Sequence, residues 1–513
     1  MRALLLTMMA ERDAAMAARD EMAAHNERLQ ALLLRLKRTQ FGRKSERLPE
    51  EQLALGLEEV ETAIAQTGAE AERNLPELRR ERADKRRARH GALPEHLPRV
   101  EIVLAPANTA CPCCKAPMVE IGEDRSERLD KVPAQYRALV TRRPKFACRS
   151  CTGVVVQEPA PPRLIEGGLP TEAVVANVVV SRFADHQPLY RQSQIMARQG
   201  IEIDRATLAF WVGTAAAEIA PVVRRLKEIV LGSAHLFADE TVVPVLDPGR
   251  GRTKKGYFWA VARDDRPWGG PDPPAVVYTY APGRQHEHAR VLLGGYRGIL
   301  QCDGYGAYKA LVDPIGRPGA CALAFCWSHV RRGFYDLAKG NAPIATEALR
   351  RIAALYRVEA EIRGQSPDQR RAARQAQSRP LLEELRPWFQ AHYARLPGSA
   401  PTAEAIRYAL NHWDGLVQYL DDGRIEIDSN SVERSMRPVS LSRKNSRFAG
   451  SDEGAANWAA AASLIETCKL NAVDPQRYFT DLLTRLVNGW PQARIDELMP
   501  WHWATHAANR PSR

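Results

Sequence analysis

The 513-residue chain lacks the features that mark secreted and membrane proteins. No run approaches the ~20 consecutive apolar residues that span a bilayer. The opening Met1-Arg2-Ala3-Leu4-Leu5-Leu6-Thr7-Met8-Met9-Ala10-Glu11 is only briefly apolar, has no cleavage site and meets charge soon after, so no signal peptide is read. The nine cysteines are an odd number and do not resemble a secreted disulfide framework. Five fall between Cys111 and Cys151, and Cys302, Cys321, Cys326 and Cys468 are scattered. Such usage suits a reduced cytoplasmic compartment with one local metal site. No internal repeat is found. Hydrophobic residues at 45% exclude a wholly disordered chain, and the length suggests about three or four domains.

What is abundant is positive charge. Lys and Arg number 73 against 61 Asp and Glu, a net +12. A polyanionic partner, nucleic acid first, fits this balance. On composition alone, a basic enzyme without such a partner fits equally.

Residues 3–66 hold one proline, Pro49, and two glycines, Gly42 and Gly56. Met8, Ala15, Met22, Leu29 and Leu36 recur every seven residues, an imperfect leucine-zipper-like seam, with a plain amphipathic helix as the alternative. Residues 67–100 read as a linker with a basic arm, seven Lys/Arg against two acids from Arg79 to His90. Residues 101–158 mix short β-runs with two C-x-x-C pairs. Zinc takes four tetrahedral sulfur or nitrogen ligands, and a two-residue gap turns both thiolates of a pair toward one ion. Cys111, Cys114, Cys148 and Cys151 are the expected ligands of one structural Zn²⁺, and Cys113 can replace a neighbour.

A Pro/Gly-rich stretch at 159–168 precedes a helical region at 169–230. There an amphipathic run, Leu189 to Arg198, ends near Gly200, and Asp204 can cap a second helix from Arg205 to Trp211. Helix, glycine turn and helix suit a helix-turn-helix DNA reader, with Arg205 at its second helix, although such hairpins also occur in ordinary proteins. From 234 the pattern changes to strands: His235–Asp239, Gly256–Ala262, Ala275–Tyr280, Gly298–Asp303 and Ala322–Trp327, with a helix at His288–Leu293 before the fourth. This order resembles a ribonuclease H-like sheet. A helical block without β-runs follows at about 335–422.

Two acids, Asp239 and Asp303, are read at strand ends, and a third, Glu433, opens a helical motif. Carboxylate oxygens are the hard ligands Mg²⁺ prefers, and two such ions can activate the attacking oxygen and stabilise the leaving one in phosphodiester chemistry. Arg434, Arg437, Arg443, Lys444 and Arg447 follow Glu433 with no acid among them, which suits an anionic substrate. A helix salt bridge from Arg434 or Arg437 to Glu433 is the plainer alternative. His329, in Cys326-Trp327-Ser328-His329-Val330-Arg331-Arg332, can touch phosphate, act near the metals or be structural, and Trp327 can be core or stack on a base.

Together these segments resemble the insertion sequence 66 family of transposases, the large TnpC-type protein. The matching stretches are Phe41 to Arg47, Leu93 to Arg99, the four-cysteine module, Ala184 to Gln192 and Ala238 to Thr241. Cys302 to Tyr305, Phe325 to Arg332, Asn430 to Arg434 and Arg443 to Ser451 complete the series in order along nearly the whole chain. One departure is Ser429, where the family commonly has asparagine; another is Lys115, where glycine often follows the first knuckle.

The resemblance implies an α/β multidomain protein with a ribonuclease H-like DDE catalytic core enlarged by a helical insertion. A coiled-coil helix (1–66), basic linker (67–100), zinc module (101–158) and helix-turn-helix-like region (169–230) would precede the core at 231–466, and a helical segment (467–513) would follow. Asp239, Asp303 and Glu433 would hold two Mg²⁺ or Mn²⁺ ions. Arg205, His329, Arg331, Arg332, Arg434, Arg437 and Lys444 would contact DNA. Expected partners are element ends and target DNA, further copies of the chain and small accessory proteins, in the bacterial cytoplasm at the nucleoid. A DNA-binding regulator with an inactive ribonuclease H-like domain is the alternative.

Overall fold

The computed structural model describes residues 136–147, 155–157, 159–247, 252–312, 321–446 and 448–508, with isolated positions at 77, 80 and 81. The chain divides into two compact units, Met1–Arg137 and Ala138–Arg513. The expected zipper, the basic linker apart from those isolated positions, and the cysteines Cys111, Cys114, Cys148 and Cys151 lie outside the described residues. Two short strands, β1 (Lys145–Ala147) and β2 (Val155–Gln157), pair antiparallel with Ala147 opposite Val155, so the chain leaves and re-enters residues 148–154 at adjacent points.

Three helices follow: α1 (Glu172–Phe183), α2 (Leu189–Ala197) and α3 (Arg205–Leu231). Between α2 and α3, Gly200 takes a positive φ of 76°, a conformation that costs glycine nothing. Asp204 caps α3, its carboxylate accepting the Thr207 N–H at 2.6 Å. The second helix is far longer than its expected end at Trp211. Leu208, Trp211, Ala215, Ile219, Val222, Leu226 and Val230 recur at three- and four-residue steps and form its buried stripe. By length and composition α3 is long and apolar enough to cross a membrane, although Glu218 and the charges from Arg224 onward break its apolar run. Here its buried stripe lies within the protein body.

The central sheet contains β3 (His235–Asp247), β4 (Arg252–Arg263), β5 (Ala275–Ala281), β6 (Ile299–Cys302) and β7 (Ala322–Phe325). Helix α4 (His286–Leu293) precedes β6, and the short α5 (Gly306–Lys309) follows it. The strand order is β5-β4-β3-β6-β7. The β3–β4 and β4–β5 pairs are antiparallel, whereas β3–β6 and β6–β7 are parallel. Two expectations are corrected. Asp239 lies within β3 rather than at its end, because the β-branched Thr241, Val242, Val243 and Val245 carry the pairing with β4 on to Asp247. Trp327 does not close β7; it opens the next helix.

Helices α6 (Trp327–Ala338), α7 (Pro343–Glu361) and α8 (Pro367–Ala373), a π-turn (Arg374–Ser378), α9 (Arg379–Tyr393), α10 (Pro401–Asn411) and α11 (Trp413–Val417) build the insertion. They share an apolar core of Trp327, Phe334, Ile352, Leu385, Phe389 and Trp413. Trp327 is fully buried and donates its indole N–H to the Leu416 carbonyl at 2.8 Å, so its role is core. Arg374, also fully buried, forks onto Glu359 at 2.7 and 2.6 Å and donates to the Tyr419 carbonyl at 2.8 Å. Arg370 bridges Glu359 and Glu426.

The chain then forms α12 (Asn430–Ser446), α13 (Asp452–Leu470), α14 (Pro475–Val487) and α15 (Pro500–Ala508). Ala455, Ala459 and Ala462 let α13 lie close on β5. Its hydroxyls serve the open edge of that strand: Thr467 Oγ1 accepts the Val276 N–H at 3.1 Å and Ser463 Oγ the Tyr278 N–H at 2.9 Å. The expected boundary at 466–467 therefore falls inside a continuous helix that belongs to the sheet.

Replacing Glu359 by alanine leaves two buried guanidinium groups short of their counter-charge. The expected loss is about 3–5 kcal/mol, read as a fall in thermal midpoint of several degrees. An unchanged midpoint would contradict the assignment of this network as the insertion's anchor.

Candidate active site

Register brings the first two acids together. Phe237 on β3 pairs with Gln301 on the parallel strand β6. Asp239 and Asp303 each stand two residues further along, so side-chain alternation turns both to the same face of neighbouring strands. Asp239 is partly buried and its Oδ1 accepts the Glu240 N–H at 2.8 Å. Asp303 Oδ1 accepts the Tyr305 N–H at 3.0 Å, which fixes the turn after β6. Gly304 lies in that turn, where a Cβ would meet the His412 ring at 2.3 Å. Tyr408 and His412 of α10 and its C-terminus close over it, the Tyr408 hydroxyl accepting the Gly304 N–H at 3.3 Å.

The third acid arrives on α12. Before it, the chain returns to the sheet: the Gln301 side chain donates to the Glu426 carbonyl at 2.7 Å and accepts the Glu426 N–H at 3.2 Å. Trp327 N–H donates to the Ile427 carbonyl at 3.0 Å, and Ser429 N–H to the Cys326 sulfur at 3.2 Å. The next residue, Asn430, begins α12, and Glu433 faces back toward α6. The Ser328 and Ser429 hydroxyls each lie 3.4 Å from Glu433 Oε1, and His329 Nδ1 lies at 3.9 Å. Among the described residues, the Cys326, His329 and Glu433 donor atoms lie within 4.8 Å of one another; Asp239 and Asp303 stand outside this group.

The acids affect one another. Burial, and then the charge of Glu240, push the Asp239 carboxyl up to about 7, with Asp303 and Glu433 adding to the effect. Burial also raises Glu240, which Tyr308 and Arg284 offset. The Tyr308 hydroxyl donates to Glu240 at 2.6 Å and Arg284 Nε at 2.7 Å. The Arg284 guanidinium lies 3.8 Å over the Tyr305 ring, whose hydroxyl donates to the Arg284 carbonyl at 2.6 Å. Glu240 on β3 is thus tied to the loop that carries Asp303.

Beside Asp303, a cleft of about 400 Å³ is lined by Gly304, Tyr305, His329, Val330 and Tyr408. Arg331 and Arg332 are exposed on α6, Arg434, Arg437 and Lys444 on α12, and Arg205 at the start of α3. Arg443 differs from these neighbours. It turns inward, donating to the Val242 carbonyl and to Ser440 Oγ, so it ties α12 to β3. Sequence reasoning did not identify Glu240, Arg284, Ser328 or Ser429 as parts of the site. For Glu240, Ser328 and Ser429 the available signal was adjacency to Asp239, His329 and Asn430; Arg284 had none.

The raised Asp239 carboxyl has a stability consequence. An acid held above its unfolded value of 3.8 costs folding free energy progressively as pH rises from about 4 to about 7, and fully above that. Without added divalent cation, Asp239→Asn is expected to stabilise the protein by roughly 2–4 kcal/mol at pH 8 and by little at pH 4. Thermal unfolding at the two pH values checks this; equal shifts at both would contradict it.

The chain matches four family models in order. Residues 167–457 match the "Transposase IS66 family" model and 463–501 the "IS66 C-terminal element". Residues 28–102 match "Transposase C of IS166 homeodomain" and 108–152 the "zinc-finger binding domain of transposase IS66". Three Sinorhizobium fredii proteins, each named only as an uncharacterized protein, are similar. With y4qI the identity is 44% over 487 residues, covering 93% of this chain and 89% of the relative. With y4jD it is 45% over 417 residues (80% and 82%), and with y4hP 34% over 497 residues (94% and 89%). The chain belongs to the IS66 family of transposases.

Proposed function

We propose that this protein is a DNA transposase that nicks the ends of its element and joins the freed 3′ hydroxyls to target DNA. Asp239 and Asp303 on a ribonuclease H-like sheet, with Glu433 on α12, are its catalytic carboxylates. The observation that carries the reading is the register of β3 and β6, which sets Asp239 beside Asp303, together with the return of the chain that brings in Glu433. The sheet order, with one antiparallel strand between β3 and β5 and a parallel β3-β6-β7 side, supports the ribonuclease H-like assignment.

A divalent cation suits this site. Asp239 bears the charge of Glu240, Asp303 and Glu433 in a partly buried position, and a cation relieves that repulsion. Mg²⁺ or Mn²⁺ held there supplies activation of the attacking oxygen and stabilisation of the leaving one. The protein's own residues do the rest. Glu240, Arg284 and Tyr305 hold the Asp303 loop against β3. Arg331 and Arg332, with Arg434, Arg437 and Lys444, offer exposed positive charge on α6 and α12 for backbone phosphates, and His329 borders the cleft.

The remaining segments take supporting roles. Cys111, Cys114, Cys148 and Cys151 bind one structural Zn²⁺ in a module that, with the α2–α3 hairpin and Arg205, reads the element ends. The N-terminal zipper pairs protomers so that two ends are held together, with accessory proteins and bacterial nucleoid DNA as further partners. The 231–466 core extends through the rest of α13.

With a DNA carrying the element's ends, Asp239→Asn, Asp303→Asn and Glu433→Gln are each expected to reduce Mg²⁺-dependent nicking by about 10³-fold or more, a loss of roughly 4 kcal/mol of transition-state stabilisation. End binding in a mobility-shift assay is expected to stay within about threefold, since none of the three bears positive charge. Nicking by Asp239→Asn at the wild-type rate would remove the assignment. End binding by a wild-type protein that nicks nothing would favour a regulator.

A further inference from the structure

We propose that Cys326, His329 and Glu433 form a second metal site, one that takes a zinc-class divalent ion and differs in donor chemistry from the Asp239–Asp303 pair. The sulfur, imidazole nitrogen and carboxylate oxygen come from the residue before α6, the first turn of α6 and the first turn of α12. All three atoms lie within 4.8 Å of one another. A tetrahedral zinc ion, with bonds of about 2.0–2.3 Å, holds its ligands roughly 3.3–3.8 Å apart. His329 Nδ1 and Glu433 Oε1, at 3.9 Å, are nearly at that separation already.

The His329 nitrogen supplies the second observation. Nδ1 is shut off from solvent and has no hydrogen-bond partner, although the side chain as a whole is a quarter exposed. Leaving a buried polar atom without a partner is costly, and this one lies 3.9 Å from the carboxylate of Glu433. The Cys326 sulfur is buried, accepts the Ser429 N–H at 3.2 Å and lies 2.9 Å from Ser328 Oγ. These neighbours orient the sulfur, and its distance to each of the other two donors is within 4.8 Å.

The donor set decides the class of ion. Thiolate and imidazole select zinc and similar transition ions, whereas Mg²⁺ demands oxygen ligands. On binding, the Cys326 thiol releases its proton to solvent, and the ion takes one sulfur, one nitrogen and one oxygen, leaving a fourth position for water or a phosphate oxygen. The binding claim stands on these three residues alone. Its consequence for activity rests on the transposase reading: Glu433 is shared, so a zinc ion there withdraws the third carboxylate from Asp239 and Asp303.

The test measures metal content. Full-length wild type, Cys326→Ser and His329→Gln are equilibrated with excess Zn²⁺, freed of unbound ion by gel filtration and assayed for zinc by mass spectrometry. Each variant is expected to hold one zinc equivalent per chain less than wild type, whatever the four-cysteine module contributes, because that contribution is common to all three. Equal zinc in wild type and His329→Gln overturns the site. If Cys326→Ser does not fold, His329→Gln, at a partly exposed position, decides alone. Failure of the transposase reading is separate: a wild type that holds the extra zinc but never nicks end DNA loses that reading and keeps the site.

Discussion

The candidate site depends on one return of the chain. Asp303 and Glu433 are 130 positions apart, and the intervening residues make a helical body with its own apolar core. What brings Glu433 back is the strip 425–429. The fully buried Gln301 side chain grips the Glu426 backbone through both of its amide functions, as a neighbouring strand would. Ile425 and Ile427 anchor the same strip in the helical core, and Arg370 holds Glu426 from the other side. A slip of one residue in this strip would turn Glu433 away from α6. The insertion therefore acts as more than a spacer: its Glu359–Arg374 pair, with Arg370, steadies the strip that positions the third acid.

The site also works against the stability of the fold that carries it. Four acids, Asp239, Glu240, Asp303 and Glu433, converge where water is partly excluded. Among the described residues, Arg284 pairs with Glu240 and also feels the charge of Asp303, while Asp239 stays raised to about 7. Nearby Arg443 is spent on the Val242 carbonyl and Ser440. A partly buried carboxyl raised by burial and by neighbouring acids is the kind of perturbed group found at functional sites. Arg331 and Arg332 on α6 and Arg434 on α12 are exposed, where their charge faces solvent and suits a polyanion.

Much of this was legible in the sequence. All five strands of the main sheet were, because each contains a short run rich in apolar residues, and so were the helical insertion and the Asp204 cap. Asp239 was expected at a strand end and lies within β3, because the apolar run stops at the acid while the pairing continues through Thr241 to Asp247. Trp327 was given to a strand, since an apolar residue at a boundary fits either element. The Gln301–Glu426 grip, the Glu240–Arg284 tie and the hydroxyls of α13 along β5 were not legible. Each joins residues far apart in sequence through side chains that carry no local pattern. The cysteine module and the N-terminal seam were read from spacing alone and lie outside the described residues.

The central claim is that Asp239, Asp303 and Glu433 share one cation-binding site. Iron-directed cleavage tests it most directly. Fe²⁺ replaces Mg²⁺ in the full-length protein, ascorbate and peroxide generate radicals at the bound ion, and mass spectrometry locates the backbone breaks. The account predicts breaks clustered in three places, near residue 239 on β3, near 303 after β6 and near 433 on α12, suppressed by excess Mg²⁺. Breaks that spare β3 and the loop after β6, or that persist unchanged in Asp239→Asn, would contradict it.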